Sequence, residues 1–292
     1  MENINQRTLK QRAASRRQDF VSFILFGLVY FAASLSFLVI IFIVGYILVK
    51  GVPHLNKALF SFTYTTENVS LLPALINTLF ITGLTLLIAI PMGIGGSIYL
   101  TEYAKKGNPI VNIIRIATET LSGIPSIIYG LFGALFFVKY VHLGLSLLSG
   151  SMTLSIMILP LVMRTTEEAL LSVPTSYREG AFALGAGKLR TIFKIVLPSA
   201  ISGIFSGIIL AIGRIIGESA ALIFTAGTVA EVAKNVFSSS RTLAVHMYAI
   251  SGEGLYINQT YATAVVLLLL VIGINFLSGL VAKRLGSEMD DE

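Results

Sequence analysis

Residues 20–49 read FVSFILFGLVYFAASLSFLVIIFIVGYILV, thirty consecutive positions without a charge. A membrane-spanning helix needs about 20 apolar residues, whereas the apolar part of a secretory leader runs for only about 7–15. The stretch therefore predicts a first transmembrane helix over 20–49 rather than a cleaved leader. Five further charge-free stretches follow, at 68–101, 120–138, 140–163, 195–213 and 254–282. They place spans near 73–100, 111–138, 144–163, 199–225 and 259–282. The expected fold is an all-α membrane protein with six transmembrane helices.

Composition leads to the same class. Of 292 residues, 55% are apolar and 12% charged, the latter about half the usual share of roughly 25%. A soluble domain of this size would lack the polar surface to cover itself, and the same greasiness excludes disorder, collagen and nucleic-acid binding. The absence of cysteine removes disulfides, iron–sulfur clusters and thiolate chemistry. The net charge of +6 reports topology. Fifteen Lys and Arg fall on the side of the N-terminus, from Arg7 to Arg284; five (Lys50, Lys57, Lys139, Lys234, Arg241) fall on the other, and Arg214 lies within a span. The positive-inside rule then puts both termini in the cytoplasm. The expected organisation is a cytoplasmic tail at 1–19, the first helix at 20–49, an external loop at 50–72, a transmembrane core at 73–282 and a cytoplasmic tail at 283–292.

The core contains one long cytoplasmic segment, 164–198, and it is patterned. Pro174 stops the helix leaving span four. Ser176-Tyr177-Arg178-Glu179 has capping-box spacing, so a short helix is expected from Ser176, closed by Gly185 in the left-handed conformation. Beyond Gly187, the residues Leu189, Ile192, Phe193, Val196 and Leu197 recur at helical spacing opposite Lys188, Arg190 and Lys194, as in a helix at the membrane surface, before Pro198 opens span five. Two short helices across the cytoplasmic face would give a soluble partner something rigid to push on.

Glu179-Gly180-Ala181, Gly185 and Leu197-Pro198 together resemble the EAA motif of type I ABC-importer permeases, the MetI-like architecture, with Gly180 in place of the usual first Ala. Ala183-Leu184-Gly185-Ala186, Leu121-Ser122-Gly123-Ile124-Pro125-Ser126-Ile127, Leu210 to Glu218 and Leu243-Ala244-Val245-His246-Met247-Tyr248 look like the PstA-type permease of the phosphate ABC transporter over about 70–285. Ala221 stands where that family tends to have Pro. The resemblance implies a bacterial plasma-membrane protein embedded in the lipid bilayer. It further implies a PstC-like second permease, two copies of a cytoplasmic ABC ATPase holding ATP and Mg, and an external phosphate-binding protein, with no cofactor on this chain. Sulfate, molybdate and methionine permeases share the coupling motif, so another oxyanion or small solute stays open as substrate. An ATP-independent channel or transporter is the remaining alternative.

Arg214 and Glu218 are the charges inside a span. At i,i+4 they share a helix face and are expected to pair, which lowers the cost of a central Arg, roughly 2.5–3.5 kcal/mol. Arg214 is the candidate to line the path of an anion and Glu218 to hold or release it. Structural bracing is the competing reading. Arg115 and Glu119 repeat the spacing at the cytoplasmic start of span three, where Arg115 can snorkel to the interface. Ser122 and Pro125 follow, and the Gly123-Ile124-Pro125 step interrupts that helix. Gly93, Gly95 and Gly96 in span two are read as helix-packing positions.

Other chemistries lack their residues. A P-loop ending at Gly187-Lys188 would need Gly at 182 and Ser or Thr at 189, where Phe182 and Leu189 stand. His54, His142 and His246 have no metal-ligand spacing and are read as interfacial or loop residues. An intramembrane serine hydrolase built on Ser219 would need His246 as base, and the topology puts His246 outside the membrane.

Overall fold

The computed structural model describes residues 9–105 and 107–287, with side chains described for 22–105 and 107–280. Arg7, Lys106 and the ends of both tails lie outside the described residues, as do the side chains of Lys10, Arg12, Arg16, Arg17, Lys283 and Arg284. The chain divides into two units, 1–50 and 51–292. The first is made by helix α1 (Leu9–Gly51), which begins ahead of the expected span. Its apolar side chains, Phe23, Phe31 and Phe42 among them, point outward, an arrangement favourable in lipid and costly in water.

The regular secondary structure of the second unit is all helical among its described residues. It comprises α2 (Leu72–Ile98), α3 (Pro109–Ser122), α4 (Ser126–Gly133), α5 (Leu147–Ser172), α6 (Thr175–Ala183), α7 (Lys188–Thr191), α8 (Leu197–Ile216), α9 (Ala220–Thr225), α10 (Leu243–Glu253) and α11 (Ile257–Ser287). Wider π turns extend α2 over Tyr99–Tyr103 and α4 over Ala134–Tyr140, and join α7 to α8 over Ile192–Val196. Among the described residues, five helical runs can cross a membrane: Ser22–His54, Leu72–Tyr103, Leu147–Ser172, Lys188–Ile216 and Ile257–Leu280. The bent pair Pro109–Ser122 and Ser126–Tyr140 makes a sixth if its two halves together form one span.

Spans three, four and five differ from their expected outlines, each for a local reason. Span three is not one rod, because its halves meet at 104°. Pro125 has no N–H to donate and disfavours the helical conformation at Ile124, so the ladder stops at Ser122 and restarts at Ser126. Span four continues to Ser172, past the expected end at 163. The charges from Arg164 onward end the apolar stretch without ending the helix, and the Arg164–Glu168 pair at 3.0 Å supports the added turns. Span five starts earlier and stops earlier than 199–225. The helix beginning at Lys188 passes Pro198 without a break, because the π turn shifts the bonding so that Leu197 N–H reaches Ile192 O. It then ends at Ile216. The break occurs with Ala221 rather than Pro in place: Glu218 Oε1 accepts the Ala221 N–H at 3.1 Å and caps the separate helix α9.

Small residues let the central helices approach. A β-carbon on Gly93 of α2 would lie 2.6 Å from Val162 of α5, and one on Gly207 of α8 would lie 2.0 Å from Thr165 of α5. Gly96 faces Met163, whereas Gly95 faces nothing within 4 Å, so the packing role of the span-two glycines falls on Gly93 and Gly96. Hydroxyls bond across the same seam: Ser97 to Met163 O at 2.7 Å and Ser155 to Thr85 O at 3.2 Å. Three apolar clusters result. A central one includes Ile81, Leu154, Ile158 and Ile215; a second, towards the 164–198 segment, holds Ile98, Leu170, Ile192 and Val196; a third, around the segment preceding α2, holds Leu59, Leu71 and Leu243.

Candidate functional site: coupling segment and broken helices

The 164–198 segment folds into the last turns of α5, one short helix and the start of a long one. Helix α6 begins at Thr175 with Pro174 at its N-cap and no side-chain cap, so the Ser176–Glu179 capping box is not formed. Its other end is closed as expected. Gly185 sits at φ +81°, Gly185 N–H reaches Phe182 O at 2.9 Å and Ala186 N–H reaches Ala181 O at 3.0 Å. This pair of bonds satisfies two carbonyls that a helix end leaves orphaned. The expected second surface helix is instead the first turns of span five. Ile192 and Val196 are buried, while Leu189 and Phe193 are exposed. Leu184 is 90% exposed at the tip, and Phe182 and, in the first turn, Tyr177 are also exposed. Glu179 and Gly180 are exposed, Ala181 is buried, and Leu197 and Pro198 lie inside the continuous helix of span five.

Arg178, counted in the sequence only as a cytoplasmic charge, carries the attachment of α6. Its Nε and Nη2 donate to Glu102 Oε1 at 3.0 and 2.7 Å, Nη1 to Val173 O at 2.9 Å and Nη2 to Leu170 O at 2.9 Å. Lys188 Nζ lies 4.8 Å from the ring centre of Tyr103, the residue after Glu102. The available signal was a lone Glu at the end of an apolar stretch, but nothing local says which of many cations it meets.

The second site element is the pair of helix breaks, at Gly123-Ile124-Pro125 and at Gly217-Glu218-Ser219. Beyond them α4 and α9 pack against each other through Gly130 and Ala221. Tyr129 donates its hydroxyl to Leu121 O at 2.7 Å, the same carbonyl that the Ile124 N–H reaches at 3.1 Å across the first break. Arg214 is exposed on the last turn of α8, and Glu218 is buried beyond it. The expected Arg214–Glu218 ion pair is absent among the described residues, because the helix ends between them and the carboxylate is turned to the α9 N-terminus.

Arg115, Glu119 and Ser122 line a cavity of about 240 Å³ together with Arg164 and Glu167. Arg115 pairs there with Glu167 of α5 rather than with Glu119. Pro125, Arg214 and Glu218 do not line this cavity. Among the described residues no group of three or more acidic or histidine side chains could hold a metal ion.

His246 is not in a loop. It lies on α10 and is fully buried, edge-on to the ring of Tyr64 with 6.1 Å between centres. Burial foremost, then the nearby Arg241 guanidinium, pull its pKa from 6.5 down to about 3, against a weaker opposing pull from the Val69 backbone. Arg241 is itself buried and lies 4.5 Å over the same Tyr64 ring.

The family described as "Binding-protein-dependent transport system inner membrane component" matches residues 93–289. The "Probable ABC transporter permease protein YqgI" of Bacillus subtilis is 36% identical over 251 residues, 79% of this chain and 82% of the relative. The "Phosphate transport system permease protein PstA" of Haemophilus influenzae is 34% identical over 261 residues, 88% of this chain and 92% of the relative. Two Mycoplasma homologues are longer proteins, of which the chain spans 39% and 38%. A solved bacterial ABC transporter involved in the import of the acidic polysaccharide alginate shares the fold, with a TM-score of 0.61 at 15% identity, covering 94% of this chain and 98% of that one. With several helices long and apolar enough to cross a membrane, a MetI-type helical core and these relatives, the chain belongs to the family of binding-protein-dependent transport inner-membrane components.

Proposed function

We propose that this chain is the permease subunit of an ATP-driven importer and forms part of the transmembrane path for inorganic phosphate. The observation that carries the reading is the coupling helix: a nine-residue helix closed by Gly185, with Leu184 90% exposed at its tip. An apolar tip of this kind on a protruding, well-capped helix calls for a soluble protein partner. Phosphate as substrate rests on the relatives that bear that name over most of their length.

In this proposal both termini are cytoplasmic, residues 73–282 form the transport core, and 164–198 is the coupling segment. The partners are a PstC-like second permease, two cytoplasmic ATPase subunits that bind ATP and Mg, and an external phosphate-binding protein. ATP hydrolysis takes place on those subunits and this chain moves the solute. Glu179, Gly180, Ala181, Gly185, Leu197 and Pro198 form or support the docking segment. Arg214 lines the anion path and Glu218 shapes it, with Arg115, Glu119, Ser122 and Pro125 along the cytoplasmic half. A fixed cation offsets part of the desolvation cost of an anion near the bilayer centre.

The test is co-purification of the complex from native membranes, then uptake of labelled phosphate into proteoliposomes with and without ATP. ATP-dependent phosphate uptake is the expected result. Uptake that proceeds without ATP would establish the channel alternative, and uptake of sulfate or molybdate but not phosphate would reassign the substrate.

A further inference from the structure

Helix α6 has little apolar grip on the rest of the protein. Ala181 is its one buried residue. A helix held in that way would slide or tilt when pushed, because apolar contact is non-directional. What holds α6 is directional. The Arg178–Glu102 pair is largely enclosed, with side-chain exposures of 17% and 10%. The four bonds of the guanidinium reach two different spans. Glu102 belongs to the π turn that ends span two, and Leu170 and Val173 provide the carbonyls at the end of span four. Those carbonyls are orphaned by the helix end, so the same side chain satisfies them and fixes the direction of the chain past Pro174. Spans two and four are also the helices joined by the Gly93–Val162 approach and the Ser97 hydroxyl, so a displacement delivered at their shared end acts on both together.

We infer that Arg178 and Glu102 form the transmission pin of this permease: they convert a push on the tip of α6 into a joint movement of spans two and four. The inference rests on the proposed function, since the push comes from an ATPase partner. Both are positioning residues; neither touches solute or nucleotide. The arrangement assigns a specific job to each group. Glu102 supplies the charge that only a cation on α6 satisfies, and the planar fork of Arg178 supplies the several simultaneous donors that a lysine lacks. Lys188 on the Tyr103 ring steadies the same turn from the far side of the Gly185 loop.

The experiment measures solute imported per ATP hydrolysed by the assembled transporter in proteoliposomes, for the wild type, Glu102→Gln, Arg178→Lys and Arg178→Gln. Glu102→Gln is the mild variant, since it removes the charge and keeps an acceptor. The expected result is complexes that still hydrolyse ATP while import per ATP drops by about fivefold or more, the size of a lost coupling energy. Arg178→Lys should fall between wild type and Arg178→Gln. A purely structural pair would behave differently: the yield of complex would fall while import per ATP, measured on whatever assembles, stayed at the wild-type value, and that result overturns the pin. Because the chain has no cysteine, a Glu102→Cys, Arg178→Cys double variant can be bridged by a short bifunctional thiol reagent. Recovery of import per ATP on bridging supports the pin, and no recovery counts against it. Absence of ATP-driven import by the wild-type complex would overturn the functional reading and this inference with it, whereas a wild-type ratio in all variants overturns this inference alone.

Discussion

Gly130 and Ala221 meet backbone to backbone: a β-carbon on Gly130 would lie 2.8 Å from the Ala221 Cα and 3.2 Å from the carbonyl oxygens of Ala220 and Ala221. The two half-helices beyond the breaks in spans three and five can pack only because no side chain stands between them. These neighbours are main-chain atoms, so they cannot rotate aside. Gly130→Ala should therefore destabilise the assembled protein by about 1–3 kcal/mol, as overpacking does. Gly95→Ala, with nothing within 4 Å, should be neutral or slightly stabilising. Thermal unfolding of the two variants in the same detergent makes the comparison, and equal midpoints would mean the α4–α9 contact yields more easily than its geometry implies.

Gly185→Glu tests the coupling helix. There is open space at this position, but φ is +81°, so the cost is conformational, about 1 kcal/mol or more for a residue with a β-carbon. The new charge also stands beside the apolar tip. The variant should insert normally yet lose ATPase association or ATP-driven uptake. Gly187, at φ −70°, provides the control, and Gly187→Ala should retain both. Pull-down of the ATPase and uptake per complex are the measurements.

Arg214 and Glu218 are not partners in an ion pair, which changes what their substitution should do. Arg214→Gln should abolish uptake with assembly intact. Glu218→Gln keeps an oxygen for the Ala221 N–H and should assemble, whereas Glu218→Ala should lose about 0.5–2 kcal/mol of capping. Restored transport in an Arg214→Gln, Glu218→Gln double variant would show that the two charges brace each other after all and would remove Arg214 from the path.

His246 should make the region around α10 acid-sensitive. Its ring is neutral in the fold with a pKa of about 3, against 6.5 when unfolded. The unfolded form therefore binds the proton more readily. The stabilisation is fully present above about 6.5, declines by about 1.4 kcal/mol per unit below that, and is gone near the folded value. Protonation inside would set a second cation beside Arg241, which the Tyr64 ring and the Val69 backbone offset only in part. Hydrogen exchange of α10 should accelerate as the pH is lowered from about 7.5 to about 5. A His246→Leu variant should show a flat profile after correction for intrinsic exchange. A wild-type profile that is equally flat would remove His246 as the sensor.

Single cysteines on the cysteine-free chain test topology. Glu67→Cys and Lys234→Cys, both at exposed positions, should react with an impermeant thiol reagent in intact cells, and Ser287→Cys should not. Labelling at 287 from outside would invert the orientation.

Long-range charge-free runs made the membrane class and the number of crossings legible from residues alone, because the bilayer imposes its thickness on every span independently. Local signals were equally readable where one residue type dictates one backbone geometry. Gly185 closes α6 at positive φ, and Pro125 interrupts span three. What periodicity could not supply was where a helix ends once charges appear. Arg164 to Glu168 looks like the edge of a membrane, and it is the edge of the apolar stretch but not of the helix.

The tertiary structure alone decided the pairings. Arg115 had Glu119 at i,i+4 and took Glu167; Glu218 had Arg214 and took the Ala221 N–H. Arg178 found Glu102 across 76 positions, and His246, in a segment between two spans, was carried into a buried site against Tyr64. Sequence spacing specifies neighbours only along one helix, with its 3.6-residue turn. A buried charge goes to whichever partner the packed helices bring within about 3 Å, and that choice belongs to the fold as a whole.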